Sequence, residues 1–141
     1  MNTPEISWAI QHAKHYHNEK EYAHAARVAA YVAEMEIIPK EYKDFCIALA
    51  FMHDILEDTK FSIVDIRDYY DSFKAALKLL TRNKETSYVD YIKQIKSKTH
   101  IPYGQCAYYV KLADMKDHLS QTETLTDKLK EKYLEGLAYL L

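Results

Sequence analysis

Glycine is almost missing from this chain, with two in 141 residues, and proline occurs three times. Tight hairpins depend on glycine at positive φ, so a hairpin-built sheet is excluded. Cysteine is as scarce as glycine: Cys46 and Cys106 form no CxxC pair. They are too few for a disulfide framework and read as two buried, reduced thiols. No stretch approaches the ~18 consecutive apolar residues of a membrane span. Charge of either sign is not in excess, the formal net being -2. There is thus no broad basic field to draw extended nucleic acid or anionic lipid, and an anionic ligand must be caught locally. The N-terminal stretch MNTPEISWAIQHAKH lacks the basic-then-apolar order of a secretory signal. A soluble, cytoplasmic protein with one domain over residues 1–141 is expected.

What is plentiful favours helices: Ala, Leu, Lys, Glu and thirteen Tyr. Thr3-Pro4-Glu5 has the order of a helix start, with Ile6, Ala9, Ile10 and Ala13 on one face. A second helix is expected over 21–36 with Val28, Tyr31, Val32 and Met35 inward, and a third over 42–57 through Phe45, Leu49, Met52 and Leu56. Ser62 with Asp65 has capping-box spacing for a short helix through Asp65–Tyr70. Asp71 or Ser72 would cap the next, and Thr86 or Ser87 the one after. HIPYG reads as a break before a helix over 105–119, and Thr124 or Thr126 opens the last. No segment alternates with the period of a strand. The expectation is an all-α bundle of about seven helices.

Within this apolar pattern, residues 51–59, FMHDILEDT, are anomalous. On a continuous helix His53 and Glu57 share one face and Asp54 and Asp58 the adjoining one, among neighbours that leave almost no wet side. Burying unpaired carboxylates there costs several kcal/mol each. A divalent cation resolves the conflict, because it pairs with the anions and takes a neutral imidazole as a further ligand. His24, in line with Val28, Tyr31 and Met35, and Asp114 in VKLADMKDHL supply the other inward donors. Two His and two Asp from three helices suit manganese, iron or zinc better than calcium or a thiolate metal.

The order His24, His53–Asp54, Asp114 resembles the metal-binding pattern of the HD superfamily of phosphohydrolases. HDILEDT is similar to the HDxxED motif of the hydrolase domains of Rel/Spo-type alarmone enzymes and of small stand-alone alarmone hydrolases. YAHAARVA around His24, VKLAD before Asp114 and LTRNKETSYVDYI between them fit the same branch, so the resemblance spans nearly the whole chain. It implies an HD-type helical domain in which His24, His53, Asp54 and Asp114 hold one metal. That metal would be manganese, with iron, zinc or magnesium as alternatives. It further implies that Glu57 and Asp58 orient or deprotonate the attacking water and handle the leaving-group proton. The family reaction is hydrolysis of the 3′-pyrophosphate of guanosine tetra- or pentaphosphate.

Three positions depart from the alarmone pattern. The upstream Arg-Lys pair is represented only by Lys14 and Lys20, the proline after the first His is Ala25, and His118 stands where Asn is usual. The metal and water-activating set is matched and the base-recognition set is not. Arg27, Arg82 and Lys111 are candidates to meet phosphate oxygens, with Lys60 and Lys84 behind them, and His118 occupies a base-proximal position. Tyr22 or Tyr88 could flank a base. The expected partner is a small nucleotide, not extended nucleic acid or membrane, and an oligomer is compatible with the chain. The alternatives are hydrolysis of another nucleotide phosphoester, or a catalytically silent HD-fold module that binds a nucleotide or protein.

Overall fold

A computed structural model describes all residues, 1–141, and they form helices and turns with no strand. Seven helices exceed two turns: α1 (Ile6–Tyr16), α2 (Glu19–Glu34), α3 (Lys43–Met52), α5 (Asp71–Leu79), α6 (Tyr88–Ser97), α7 (Pro102–Ser120) and α8 (Asp127–Leu140). A single four-residue turn, α4 (Ile55–Asp58), follows α3 directly. The all-α expectation therefore holds, and its cause is visible in the caps. Asn18 and Glu21 form a reciprocal capping box at the start of α2, with Asn18 Oδ1 accepting from the Glu21 amide at 2.8 Å. Ser87 and Thr126 accept amide protons at the starts of α6 and α8, where a hydroxyl cap was expected.

Helix α3 is the axis of the molecule, packed against α1, α2, α5 and α7. Phe45, Cys46, Ala48, Leu49, Ala50 and Met52 are all buried on it, so it meets neighbours on every side. These residues belong to one continuous core of 28 buried side chains. Helix α7, the longest at 19 residues, runs past α2, α3 and α5 and carries α6 and α8 on its far side. The site-bearing stretches of α2, α3 and α7 are thus fixed by the same core. No helix is long and apolar enough to cross a membrane.

Several boundaries differ from the sequence expectation: α2 runs Glu19–Glu34 rather than 21–36, and α5 opens at Asp71 behind Tyr70 with no side-chain cap. Helix α1 begins at Ile6, with Glu5 rather than Thr3 in the cap position and no side-chain cap. The Asp65–Tyr70 helix is instead two 3-10 turns, Ile63–Asp65 and Asp68–Tyr70. Helix α7 begins at Pro102, because proline at the first turn lacks only an amide that has no helical partner. HIPYG therefore holds a helix start, and Gly104 lies inside α7 against the Lys98 carbonyl. Most important for the site, the helix expected over 42–57 is interrupted at His53–Asp54.

Candidate metal centre

The interruption has a local cause. In a continuing α-helix the Ala50 carbonyl would serve the Asp54 amide. Here His53 Nδ1 donates to it at 2.6 Å, and Asp54 takes φ -101° and ψ 0°, in the bridge region. The kink turns the Asp54 carboxylate toward the His53 ring, with Oδ2 3.1 Å from His53 Nε2. The same Oδ2 lies 3.5 Å from His24 Nε2, brought in by α2. Asp114, from the middle of α7, completes the group: its Oδ1 lies 2.9 Å from His24 Nε2 and 3.2 Å from His53 Nε2. One ligand atom from each of His24, His53, Asp54 and Asp114 lies within 4.8 Å of the others. Three helices distant in sequence thus converge on a volume that one ion can share.

Both imidazoles are oriented from behind. His24 Nδ1 lies 2.6 Å from Asp117 Oδ2, and His53 Nδ1 is held by the Ala50 carbonyl. With each Nδ1–H committed to an acceptor, each Nε2 is left toward the shared volume, the arrangement that fixes a ligating tautomer. Asp117 is fully buried and is itself gripped by Arg27, whose Nε and Nη2 donate to its two oxygens at 2.7 and 3.1 Å. Asp117 was absent from the sequence-derived set. Its spacing three residues beyond Asp114, on the same side of a helix, was the available signal.

The charges are strongly coupled. Burial opposes charge on His24, yet hydrogen bonds to Asp114 and Asp54 raise its pKa to about 9. His53 is likewise disfavoured by burial but lifted well above its usual range by Asp54 and Asp114. Burial would raise Asp114, while Lys111, His118, His24 and His53 together hold it well below the usual carboxylate range. Lys111 Nζ donates to Asp114 Oδ2 at 2.8 Å, leaving Oδ1 for the histidine side. Two carboxylates and two Nε2 atoms, each imidazole braced at Nδ1, form a donor set that fits a divalent cation with mixed nitrogen and oxygen preference.

Beside this group opens a cleft of about 160 Å³. Asp54 and Asp114 form part of its wall, and Arg82, Lys111 and Lys132 supply positive charge. Tyr88, Tyr91 and Tyr133 supply rings: Lys132 Nζ lies 4.6 Å from the Tyr88 centroid and Lys111 Nζ 5.0 Å from that of Tyr91. His118 Nε2 lies 3.2 Å from Asp114 Oδ1, and its ring stacks on Tyr133 with 4.7 Å between centroids. Glu57 also lines the cleft, and its carboxylate accepts the backbone amide of Arg82.

The sequence-derived residues are thus distributed unevenly. Arg82, Lys111, His118 and Glu57 border the cleft, whereas Arg27 faces Asp117 and Asp58 is not among the lining groups. Tyr88 lines the cleft, while Tyr22 packs on Phe51 at 6.2 Å. Lys132, on α8, escaped notice because that helix reads as a packing element and only the fold brings it over Tyr88. No protein-family model matches this chain, and no curated protein matches it.

Proposed function

We propose that the protein is a metal-dependent phosphohydrolase of a small nucleotide, with the 3′-pyrophosphate of guanosine tetra- or pentaphosphate as the leading substrate and another nucleotide phosphoester as the next. Manganese is the metal this reading favours and the cytoplasm its compartment. The observation that carries the reading is the pair of imidazoles, each tied at Nδ1 and each presenting Nε2 to the carboxylates of Asp54 and Asp114. A cation held by these four residues supplies Lewis acidity and lowers the pKa of water from 15.7 toward about 7.

The rest of the work falls to the chain's own groups. Glu57, on the cleft wall and fixed by the Arg82 amide, is placed to accept a proton from an attacking water. Arg82, Lys111 and Lys132 meet phosphate oxygens, Arg82 by a planar fork and the lysines as point charges. Lys111 is buried and already bound to Asp114, so it also fixes the orientation of that ligand. The tyrosine rings narrow the cleft and give a nucleobase a surface to lie against.

One observation favours the rival, a silent binding module: Asp58, one of the two carboxylates assigned to proton handling, does not line the cleft. The two readings separate when purified protein with manganese is given a panel of nucleotides including guanosine tetraphosphate. Metal-dependent release of phosphate or pyrophosphate, lost together with bound metal in Asp54→Ala, supports the hydrolase. Silence across the panel with metal demonstrably bound overturns it in favour of the module.

A further inference from the structure

The cleft beside the metal donors is small and unevenly furnished. Sites that enclose a whole small-molecule ligand measure about 300–1,000 Å³, whereas this one has about 160 Å³. It has room for the phosphoryl end of a nucleotide, and the nucleoside must then lie at its mouth. Three cations surround one side chain of its wall: Lys132 Nζ, Lys111 Nζ and Arg82 Cζ lie 4.6, 5.9 and 6.0 Å from the Tyr88 ring centroid. Lys111 is taken by Asp114 Oδ2 at 2.8 Å, but neither Arg82 nor Lys132 is in ion-pair contact with a carboxylate. Two uncompensated cations and a third held beside them, close enough to share one ring, suit a polyanionic group such as a diphosphate.

Groups able to read the edge of a base are few. No Asn, Gln, Ser or Thr side chain lines the cleft. The Tyr91 hydroxyl is spent on the Leu80 carbonyl at 2.7 Å, and the Tyr88 hydroxyl is buried beside Gly136. His118 Nε2 faces Asp114 Oδ1 at 3.2 Å, and Glu57 is held by the Arg82 amide. The Tyr133 hydroxyl and His118 Nδ1 remain, and each can either donate or accept. They therefore serve the O6 acceptor of guanine and the amino donor of adenine alike. The rings of His118 and Tyr133, 13° from parallel, offer a flat face at the same place. Stacking on such a face tolerates any base, because every base has a π-face.

We propose that the cleft selects its ligand by the number of clustered phosphates and not by the base, so that the 3′,5′-bis(diphosphates) of guanosine and adenosine are bound alike. Arg82 and Lys132 grip the phosphates, and the His118–Tyr133 pair supports whichever base lies at the mouth. The inference deepens the hydrolase reading and rests on it for the choice of ligands. The preference itself depends only on the size of the cleft and the groups that line it.

The test is titration calorimetry on the manganese-loaded protein, with Glu57→Gln used for any ligand that the wild type turns over. The ligands are the bis(diphosphates) of guanosine and adenosine, and guanosine 3′,5′-bisphosphate, which is one phosphate shorter at each end. The two bis(diphosphates) are expected to bind within about tenfold of each other, and the bisphosphate about tenfold or more weakly than either. Lys132→Gln should weaken both bis(diphosphates) by the same factor. A preference for one base above about tenfold overturns the inference, since a site that hydrogen-bonds a base edge discriminates far more steeply than a stacking face. Its loss in Arg82→Lys would assign Arg82 to the base instead of the phosphates. A bisphosphate bound as tightly as the bis(diphosphates) overturns it as well. Equal binding of both bases without turnover of either upholds the phosphate selection and removes the hydrolase reading alone. No binding of any ligand, with manganese bound, overturns both.

Discussion

Asp117 Oδ2 lies 2.6 Å from His24 Nδ1, and both Asp117 oxygens are bound by Arg27. A buried carboxylate braced by a guanidinium thus sets the ring plane and tautomer of an imidazole whose other nitrogen faces Asp114. Burial works against the charge of Asp117, and the hydrogen bonds from Arg27 and His24 hold its pKa below the usual carboxylate range. Asp117→Asn leaves the shape and removes the charge. Manganese affinity, measured by titration calorimetry, is expected to fall about 10–100-fold, as for other residues that orient a metal-bound histidine. An unchanged affinity would show that His24 needs no such support.

Glu57 and Asp58 are neighbours in sequence but not in environment. Glu57 lines the cleft and accepts the Arg82 amide, whereas Asp58 is not among the residues that line it. Glu57→Gln is therefore expected to keep its metal and lose about 10²–10⁴-fold in turnover on the best substrate of the panel. Metal content and kcat are read on the same preparation. Full activity in that variant removes Glu57 from the chemistry.

The sequence exposes the fold class and the four-residue metal set for the same reason. Both are written in positions that repeat along helices: Ile92 and Ile95 or Leu49 and Met52 by apolar spacing, His53 and Asp54 by their misfit within it. What stayed hidden depends on contacts between helices or on side chains competing with the backbone. The kink at Asp54 arises because the His53 ring takes the Ala50 carbonyl, which helical periodicity does not anticipate. Asp117 needed α2 beside α7 before its partner, His24, could be known. The Asn18–Glu21 capping box, by contrast, is a legible three-residue spacing that the apolar pattern overshadowed.

Lys132 and Arg82 line the cleft with no carboxylate in ion-pair contact, and they lie near a third cation, Lys111. Burial, then Arg82 and Lys111, pull the Lys132 pKa below the usual lysine range. Like charges gathered in this way await an anion. Lys132→Gln is expected to raise KM for a phosphorylated substrate about tenfold, in line with ~1.5–3 kcal/mol for a charge-assisted hydrogen bond. Its kcat should change little. The melting temperature should stay the same or rise slightly, since the substitution relieves repulsion. A KM within error of wild type would place the phosphates elsewhere.

Asp58 gives the metal-free protein a pH dependence of known sign. Its folded pKa of about 6 lies above the ordinary aspartate value of 3.8, so between those values the folded state binds more protons than the unfolded. Stability contributed by this group therefore falls as pH rises from about 4 through 6, and the ionised form is a net burden above that. In chelator, Asp58→Asn should melt about 1–3 °C above wild type at pH 7.5, a figure reduced for solvent screening of an exposed group. At pH 4 the two should coincide.

Both glycines leave no room for a Cβ beside their neighbours, and substituting them separates packing from binding. A Cβ at Gly104 would collide with the Lys98 carbonyl oxygen and fall 2.7 Å from its carbonyl carbon, backbone that cannot swing aside. A Cβ at Gly136 would fall 2.6 Å from Tyr88 Cε2 and 3.1 Å from Met115 Cε, both on side chains that can move. Within a helix Gly→Ala is ordinarily worth about 1 kcal/mol of added stability. Gly104→Ala should instead lose about 2–4 kcal/mol in denaturant unfolding, as overpacked sites do. Gly136→Ala should cost less in stability but displace Tyr88 from the cleft wall, and so raise KM while leaving metal affinity intact. If Gly136→Ala stabilises the fold and KM is unchanged, Tyr88 yields freely and plays no part in shaping the cleft.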